Sequence, residues 1–479
     1  MSFKRGFFKS ISTFALYNYL SQGFEFLATI ILSRLLLPEE YGFVAIINIF
    51  AGFIQLFSNV GIGQSVIRSD YRYTFHRHLY SLSVWMGVLL MLILSGLSFP
   101  IAYFFNNPAL VVPTILISFK FVFDSFTYIP YALLSKDLQF KYIGRSKLWG
   151  ATFQIILTII LALLGFSYWS LIIPLVLGPI VQFLYLRDKV DIRFRLFGWK
   201  SAKMTLYKIR SLMGSLSLNN MINYWSGNAD KVVIGRLYTQ ADLGLYNRAF
   251  RFIMLTNTLI TGIFNTVLFP SLKKLIDDKG DANREYLDIL RIITIFNLPV
   301  VFVLAVFPYE LVRVLWGINW TGVSEFLPYV GMILVFNSII STTPSVFILY
   351  GKERNMFLIN LVNSILTVAF VIVGGLFSMM HIIIFLSLGY IFITVPINIY
   401  FGFYRSFSAS WRLISGFWMP VMLFAILLFL SVYFNWVGIK LAAFAAYTSY
   451  LLYELRSSVH GALVFIYERV TPGRGKDDS

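Results

Sequence analysis

Residues 33–43 read SRLLLPEEYGF, and residues 235–245 read GRLYTQADLGL. At a shift of 202 positions, an arginine, a leucine, an acidic residue and a glycine fall in register. Each segment follows one long apolar run and opens the next, and the two copies lie six runs apart, so both enter a membrane from the same side. This repeat predicts two parallel six-helix lobes around a central cavity. The alternative is a chance match between two similar turns, which the polar character of the matched residues disfavours.

The apolar runs around these segments are long enough to cross a membrane, because a hydrocarbon core of about 30 Å needs roughly 20 helical residues. They are continuous rather than alternating, which disfavours the strands of an outer-membrane barrel. The fold class is therefore an all-α polytopic membrane protein of about fourteen transmembrane helices. The predicted spans are 11–37, 40–66, 79–105, 109–134, 147–165, 167–186, 210–236, 243–270, 289–307, 325–350, 356–378, 380–403, 413–433 and 436–456.

The composition excludes most soluble classes. Hydrophobic residues make up 58% of the 479 residues, charged residues only 13%, and there is no cysteine. Soluble domains carry roughly 25% charged residues, so a soluble enzyme, a disordered chain and a disulfide-stapled domain are disfavoured. The net charge is +17, but no basic soluble module is visible, so nucleic acid is not an expected partner.

The positive charges fall in alternate loops, which predicts that both termini face the cytoplasm. The first run lacks a small-residue cleavage site, so we expect it to be retained as a helix. The opposite loops are short; the longest, Pro308–Ser324, carries Trp316 and Trp320, which suit an interfacial anchor. An enzyme active site would have little room there. The predicted parts are an N-terminal lobe (1–186), a basic cytoplasmic linker (187–210), a C-terminal lobe (211–403) and two extra helices with a tail (404–479).

Several predicted spans carry polar side chains at helical spacing. A charge in hydrocarbon costs at least about 2.5–3.5 kcal/mol, so such residues are expected to face a cavity or a partner. Interhelical hydrogen bonding is the alternative, and Lys120 with Asp124, four residues apart, could be a neutralised structural pair. No metal site is expected. The candidate cavity or coupling residues are Asn18, Gln22, Glu25, Asn48, Asn59, Lys120, Asp124, Asn223, Asp230 and Lys231.

Three stretches carry a family resemblance: 32–42 (LSRLLLPEEYG), 59–67 (NVGIGQSVI), and 228–236 (NADKVVIGR) continued by 243–249 (LGLYNRA). They resemble the Wzx-type polysaccharide flippases, within the superfamily of multidrug, oligosaccharidyl-lipid and polysaccharide exporters. The resemblance covers about residues 10–405. The two helices after Arg412 are similar to those of the fourteen-helix members.

The resemblance implies a flippase of the bacterial inner membrane and no enzyme. Its substrate would be an undecaprenyl-pyrophosphate-linked oligosaccharide, moved to the outer leaflet by alternating access for lipopolysaccharide or exopolysaccharide biosynthesis. In related flippases, arginines on lobe-facing helices bind the pyrophosphate. The corresponding residues here are Arg34, Arg236, Arg248 and Arg251.

Other implications concern coupling and partners. Glu25 or Asp230 could bind a coupling cation, Na⁺ or H⁺, and no resident cofactor is expected. Arg34, Arg236 and Arg248 could instead extend to lipid headgroups, since they lie near helix ends. A monomer is sufficient, with membrane lipids, a polymerase and glycosyltransferases as expected partners. A multidrug/cation antiporter of the same superfamily, or a membrane glycan polymerase or ligase, are the alternative functions.

Overall fold

The computed structural model describes residues 3–58, 61–68, 73–207, 221, 224–277 and 281–470. Within these residues the backbone is helical apart from turns and the irregular stretch 191–198, and it contains no strand. The helices of the first half are α1 (Phe3–Leu35), α2 (Pro38–Gln55), α3 (Ile62–Arg68), α4 (Tyr73–Phe104), α5 (Val111–Lys136), α6 (Phe140–Leu163), α7 (Trp169–Arg187) and α8, described over 199–207. The helices of the second half are α9 (Ala229–Leu237), α10 (Gln240–Thr256), α11 (Gly262–Asp277), α12 (Ala282–Val306), α13 (Pro308–Leu315), α14 (Leu327–Ile340), α15 (Thr343–Leu349), α16 (Glu353–Gly375), α17 (Met379–Gly389), α18 (Val395–Ile397), α19 (Trp411–Tyr433) and α20 (Val437–Val470).

Nine helical segments of the described residues are long and apolar enough to cross a membrane. Each coincides with a predicted span, so the chain is a multi-pass, all-helical membrane protein. Four of the other five predicted spans fall on α1, α2 with α3, α10 with α11, and α20. Roughly half of the fifth, 210–236, lies outside the described residues, and α9 covers its end. The total of fourteen stays a prediction. The predicted run 40–66 is two helices, because the chain turns at Gly61, whose φ is +75°. The nine segments are Thr74–Phe104, Pro108–Lys136, Phe140–Leu163, Trp169–Arg187, Ala282–Val306, Leu327–Leu349, Glu353–Gly375, Met379–Ser406 and Trp411–Tyr433.

The chain divides into two compact units by its internal contacts. Unit 1 comprises Met1–Asn247 and Arg313–Trp320, and unit 2 comprises Arg248–Val312 and Thr321–Ser479. The start of the second sequence repeat thus belongs with the first repeat in unit 1. The predicted lobes at 1–186 and 211–403 refer to the sequence repeat and stay a prediction.

Unit 1 is built on α4 to α7, with α1 packed along α6. The ring of Tyr17 lies against Gly144, where an added Cβ would come within 2.9 Å of it. The Tyr17 hydroxyl accepts a hydrogen bond from Nε of Arg145 at 3.0 Å. Further along the same face, Ala28 and Leu32 are buried with residues of α6. The face of α1 that carries Tyr17, Ala28 and Leu32 is therefore occupied by packing on α6.

Unit 2 is built on α12, which packs against α14, α19 and α20. Near its N-terminus, Arg291 donates to Asp288 at 2.6 Å and to Glu454 of α20 at 3.0 Å. The Tyr286 hydroxyl lies 2.9 Å from that of Thr342. The C-terminal helix α20 is therefore held to α12 by an ion triad as well as by packing, and α19 packs against α20 and α12.

Candidate functional site

The acidic residues of the sequence repeat cap two helices. A carboxylate oxygen of Glu40 accepts a hydrogen bond from the backbone N–H of Leu37 at 2.7 Å. Asp242 accepts from the backbone N–H of Thr239 at 3.1 Å and from its hydroxyl at 2.7 Å. Both carboxylates lie in the first turn of their helices, where the helix dipole favours negative charge. The matched acids therefore position the starts of α2 and α10.

The glycines of the repeat meet each other inside unit 1. A Cβ added to Gly42 would lie 1.7 Å from the carbonyl oxygen of Gln240, and one added to Gly244 would lie 1.9 Å from that of Pro38. Real Cβ atoms essentially never approach within 3.0 Å, so only glycine fits either position. We call this contact between α2 and α10 the glycine crossing. Its reciprocity is what a two-fold relation between the repeats would produce.

The arginines of the repeat lie near the glycine crossing. The Arg34 guanidinium donates to the carbonyl oxygen of Val314 at 3.0 Å, and that of Arg236 lies 5.8 Å from the ring centroid of Phe104. Arg34 thus contacts the predicted external loop Pro308–Ser324, and Arg236 contacts the end of α4. In this conformation both side chains hold that end of unit 1 together. Their predicted role as pyrophosphate ligands stays a prediction.

Two tryptophans predicted to anchor at the membrane interface are instead buried. Trp316 is 2% exposed and Trp320 is fully buried. The indole N–H of Trp320 donates to the carbonyl oxygen of Ser33 at 2.7 Å, and its ring packs edge-on against Tyr41. The interfacial assignment was wrong because both rings are buried inside the protein, that of Trp320 against Tyr41 beside the glycine crossing.

The other two predicted substrate arginines lie on α10, one turn apart, in unit 2. Arg248 is only 6% exposed, whereas Arg251 is exposed. A buried guanidinium needs polar or anionic partners, because its charge cannot be removed at physiological pH. Contact with lipid headgroups therefore does not explain the burial of Arg248. A polar environment inside the protein explains it.

A polar cluster joins α5 to the end of α2 within unit 1. The Lys120 ammonium donates to Asp124 and to the side-chain carbonyl of Gln55, the latter at 3.3 Å. The Gln55 amide donates in turn to the hydroxyls of Ser58 at 2.8 Å and Tyr128 at 3.1 Å. Lys120 and Asp124 keep side-chain exposures of 27% and 15%, so the pair is half-buried. We call these five residues the α5 cluster.

The predicted Lys120–Asp124 pair is confirmed by this geometry, and Tyr128 and Ser58 are added to it. Tyr128 follows Asp124 by four residues, so helical spacing could have identified it. Ser58 could not be found that way, because its bond comes from the turn after α2.

Asp230 is held by a second polar group in unit 1. One carboxylate oxygen accepts from the Tyr246 hydroxyl at 2.6 Å, and the other accepts from the backbone N–H of Lys231 at 2.8 Å. The Lys231 ammonium donates to the side chain of Asn228 at 2.8 Å. Tyr246 is fully buried. Asp230 therefore has two donors of its own, and Lys231 points to a different acceptor.

The remaining candidates have mixed positions. On α1, Asn18 and Gln22 are half-buried and Glu25 is exposed. These three residues lie on a face adjacent to the one that packs on α6. Asn48 of α2 is exposed. Asn59 and Asn223 lie outside the described residues. Within the described ranges, no group of three His, Cys, Asp or Glu residues could hold a metal ion.

Curated relatives are connected with polysaccharide biosynthesis. The chain is 22% identical to the lipopolysaccharide biosynthesis protein WzxC of Escherichia coli (strain K12), over 72% of this chain and 70% of that protein. It is 24% identical to the succinoglycan biosynthesis transport protein ExoT of Rhizobium meliloti (strain 1021), over 69% and 66%. The chain thus spans about two thirds of the length of these relatives.

Solved structures share the fold. The lipid II flippase MurJ in an inward closed conformation matches with a TM-score of 0.70 at 15% identity, covering 93% of this chain and 99% of MurJ. An inward-facing multidrug resistance MATE family transporter matches with a TM-score of 0.64 at 16% identity, covering 81% of this chain and 95% of that one. A family model described as polysaccharide biosynthesis protein matches residues 31–325. This match confirms the predicted resemblance to Wzx-type flippases: the chain belongs to the polysaccharide biosynthesis protein family.

Proposed function

We propose that this protein flips an undecaprenyl-pyrophosphate-linked oligosaccharide from the cytoplasmic to the outer leaflet of a bacterial inner membrane. The flipped glycan would serve surface or exopolysaccharide biosynthesis, supplied by glycosyltransferases and taken up by a polymerase. The observation that carries the proposal is the α5 cluster, in which Lys120, Asp124 and Tyr128 lie on a helix apolar enough to span the membrane and bond with side chains at the end of α2. Family membership supports the class of cargo.

The physical problem for such a flippase is the polar head of the cargo. Sugar hydroxyls and phosphates cannot enter hydrocarbon without losing their hydrogen bonds. Polar side chains such as Gln55 and Tyr128 can replace the water bound to the glycan, while the lipid tail stays in the bilayer. Guanidinium groups suit the pyrophosphate, because they stay charged and bind phosphate oxygens through paired hydrogen bonds.

The four arginines are proposed to act in two different ways. Arg248 and Arg251 lie on the part of α10 that follows the glycine crossing, and we assign them to the pyrophosphate. Arg34 and Arg236 already contact Val314 and Phe104 in this conformation. They could bind phosphate only after those contacts open, so we assign them to the release step of alternating access.

The driving force is proposed to be the membrane potential. A cell interior held negative favours outward movement of an anion by about 2.3 kcal/mol per charge per 100 mV, and a pyrophosphate carries at least two charges. A coupling cation, Na⁺ or H⁺, bound at Glu25 or Asp230 would reset the empty protein. Both termini are placed in the cytoplasm, and a monomer without resident cofactor is sufficient.

The test replaces each of the four arginines with alanine and measures lipid-linked glycan in each leaflet of reconstituted vesicles. Because a hydrogen bond to a charged group contributes about 1.5–3 kcal/mol, Arg248→Ala and Arg251→Ala should slow flipping by about 10- to 150-fold. Arg354→Ala, at an exposed arginine in the first turn of α16, is the control and should flip at the parent rate. The folded yield of each variant is measured alongside, and Arg248→Lys keeps the buried charge in case the alanine variant does not fold.

Flipping at the parent rate in all four variants would remove this site assignment. The antiporter alternative predicts a different result: efflux of a cationic dye that responds to an ion gradient, and no movement of glycan. A polymerase or ligase would instead lengthen or transfer the glycan, which mass analysis of the lipid extract detects.

A further inference from the structure

The segment 193–207, which follows α7, is fixed to the start of α4. We call it the docked segment. The Ser81 hydroxyl donates to the carbonyl oxygen of Phe197 at 3.2 Å and accepts from the N–H of the same residue at 2.9 Å. The indole N–H of Trp85 donates to that carbonyl as well, at 2.9 Å. Both backbone groups of Phe197 are therefore satisfied by side chains of a membrane-spanning helix.

Aromatic contacts hold the same segment. The ring of Phe197 lies 4.2 Å from that of His78, measured between centroids. The ring of Phe194 lies 5.1 Å from that of Tyr80 and 5.2 Å from that of Phe126. These partners lie toward the N-terminal end of α4 and the C-terminal end of α5. The apolar spans of the two helices end on this side. The docked segment therefore lies level with the edge of the apolar region, on the predicted cytoplasmic side.

The helical part of the docked segment, α8, has two different faces. Ala202 and Thr205 are buried, and the Ser201 hydroxyl lies 2.8 Å from Nδ1 of His78. The opposite face is exposed and mixes cationic with large apolar side chains; Met204 is 60% exposed and Tyr207 is 65% exposed. The side chains of this outer face are Lys200, Lys203, Met204 and Tyr207, with Trp199 at its edge, exposed on one side and packed edge-on against Trp85 on the other. Exposed apolar side chains of this size indicate a surface that binds something apolar.

The charge of the docked segment has one sign. Residues 193–207 contain four Lys or Arg and no Asp or Glu. Interleaved cations and large apolar groups at the edge of a membrane span fit an anionic lipid surface, because the cations meet phosphate while the apolar groups enter the headgroup boundary. A soluble anion would satisfy the lysines and leave Trp199 and Met204 in water.

We propose that the outer face of α8 binds the anionic phospholipid headgroups of the adjacent leaflet. The inner face and the backbone of Phe197 hold it in a fixed position, so the surface is presented ready for binding. This interaction is separate from the flipping of the cargo, and its test measures no transport.

The chain has no cysteine, so Met204→Cys provides a single site for an environment-sensitive fluorophore on the outer face. The labelled full-length protein, in a neutral detergent, is titrated with short-chain phosphatidylglycerol, with short-chain phosphatidylcholine and with inorganic pyrophosphate. We expect a saturable blue shift with phosphatidylglycerol only. Raising NaCl from 0.1 to 1 M should weaken it, because the Debye length falls from about 10 to 3 Å.

Charge removal tests the mechanism. Each lysine near an anionic surface changes affinity by about fivefold, so Lys200→Gln with Lys203→Gln should weaken phosphatidylglycerol binding about 25-fold. The control, Lys352→Gln with Arg354→Gln, removes two exposed charges from the N-terminal end of α16 and should change the affinity less than twofold. Both lysines of α8 are exposed, and size-exclusion profiles verify that the fold is kept.

Three results would overturn the proposal. The first is an equal response to phosphatidylcholine and phosphatidylglycerol, which would mean apolar binding without headgroup recognition. The second is an unchanged affinity in the double lysine variant. The third is a pyrophosphate response that matches the one to phosphatidylglycerol, which would assign the face to a soluble or substrate phosphate instead.

Discussion

Replacement of Gly42 by alanine tests whether the glycine crossing depends on the absence of side chains. The new Cβ would lie 1.7 Å from the carbonyl oxygen of Gln240 and must move to at least 3.0 Å, so α2 and α10 have to separate by more than about 1 Å. Overpacking of this kind costs about 1–3 kcal/mol. If that cost falls on the closed crossing alone, the opened population rises by about 5- to 150-fold, because 1.4 kcal/mol is tenfold.

The assay is the rate of maleimide labelling at Leu243→Cys in nanodiscs. Leu243 is fully buried beside the crossing, and no other cysteine competes. Gly42→Ala should raise this rate by the factor given above, since labelling follows the opened population when opening is rare. Gly96→Ala is the matched control, because a Cβ there meets nothing within 4 Å while the gain in helix propensity is the same.

Equal labelling rates in Gly42→Ala and the Gly96→Ala control would refute the steric argument. A second requirement follows from the reciprocity of the contact. Gly244→Ala should act like Gly42→Ala, and the two together should have less than the sum of their separate effects, because they disrupt one contact.

Three further substitutions test the polar groups. Asp124→Asn leaves the half-buried Lys120 without its carboxylate and should destabilise the fold by about 1–3 kcal/mol in chemical denaturation. Adding Lys120→Gln should recover most of that lost stability. If the double variant shows no recovery, the two charges are not coupled. Tyr246→Phe should lower the free energy of unfolding by about 1.5–3 kcal/mol, because the hydrogen bond to Asp230 is lost. In a double-mutant cycle, Asp230→Asn should then lower it little further. Fully additive losses would contradict the hydrogen bond. Glu454→Gln should make α20 more susceptible to proteolysis at an unchanged folded yield, and unchanged cleavage would show that the ion triad does not hold this helix.

The nine segments that match predicted spans could be predicted because apolar length alone identifies a membrane helix. The predicted span 40–66 failed as a single helix, because the positive φ of Gly61 is a backbone property that hydropathy does not report. α1 is 33 residues long but is not among the nine, because polar residues such as Gln22 and Glu25 interrupt its apolar run. α5 carries Lys120 and is still among them, so polar residues lower the hydropathy of a span without always hiding it.

The candidate site was predicted in part. Lys120 and Asp124 lie on one helix, so their spacing revealed the pair. Tyr246 was missed because its partner, Asp230, lies on a different helix, and a sequence does not report contacts between helices.

The repeat residues Glu40 and Gly42 illustrate a different limit of sequence reasoning. Their match with the second copy predicted two related halves, yet the same match could not distinguish a cargo site from architecture. A carboxylate can cap a helix as well as bind a cation. A glycine can allow two helices to pack closely as well as allow a ligand to approach the backbone.

The glycine crossing fixes the distance between two helices by main-chain contact. Because neither Gly42 nor Gly244 has a side chain whose rotamer could change, the closed crossing has one geometry rather than a range of them. A shift of either helix along the other would bring a residue with a Cβ into the contact, so the crossing also fixes the register of α2 against α10.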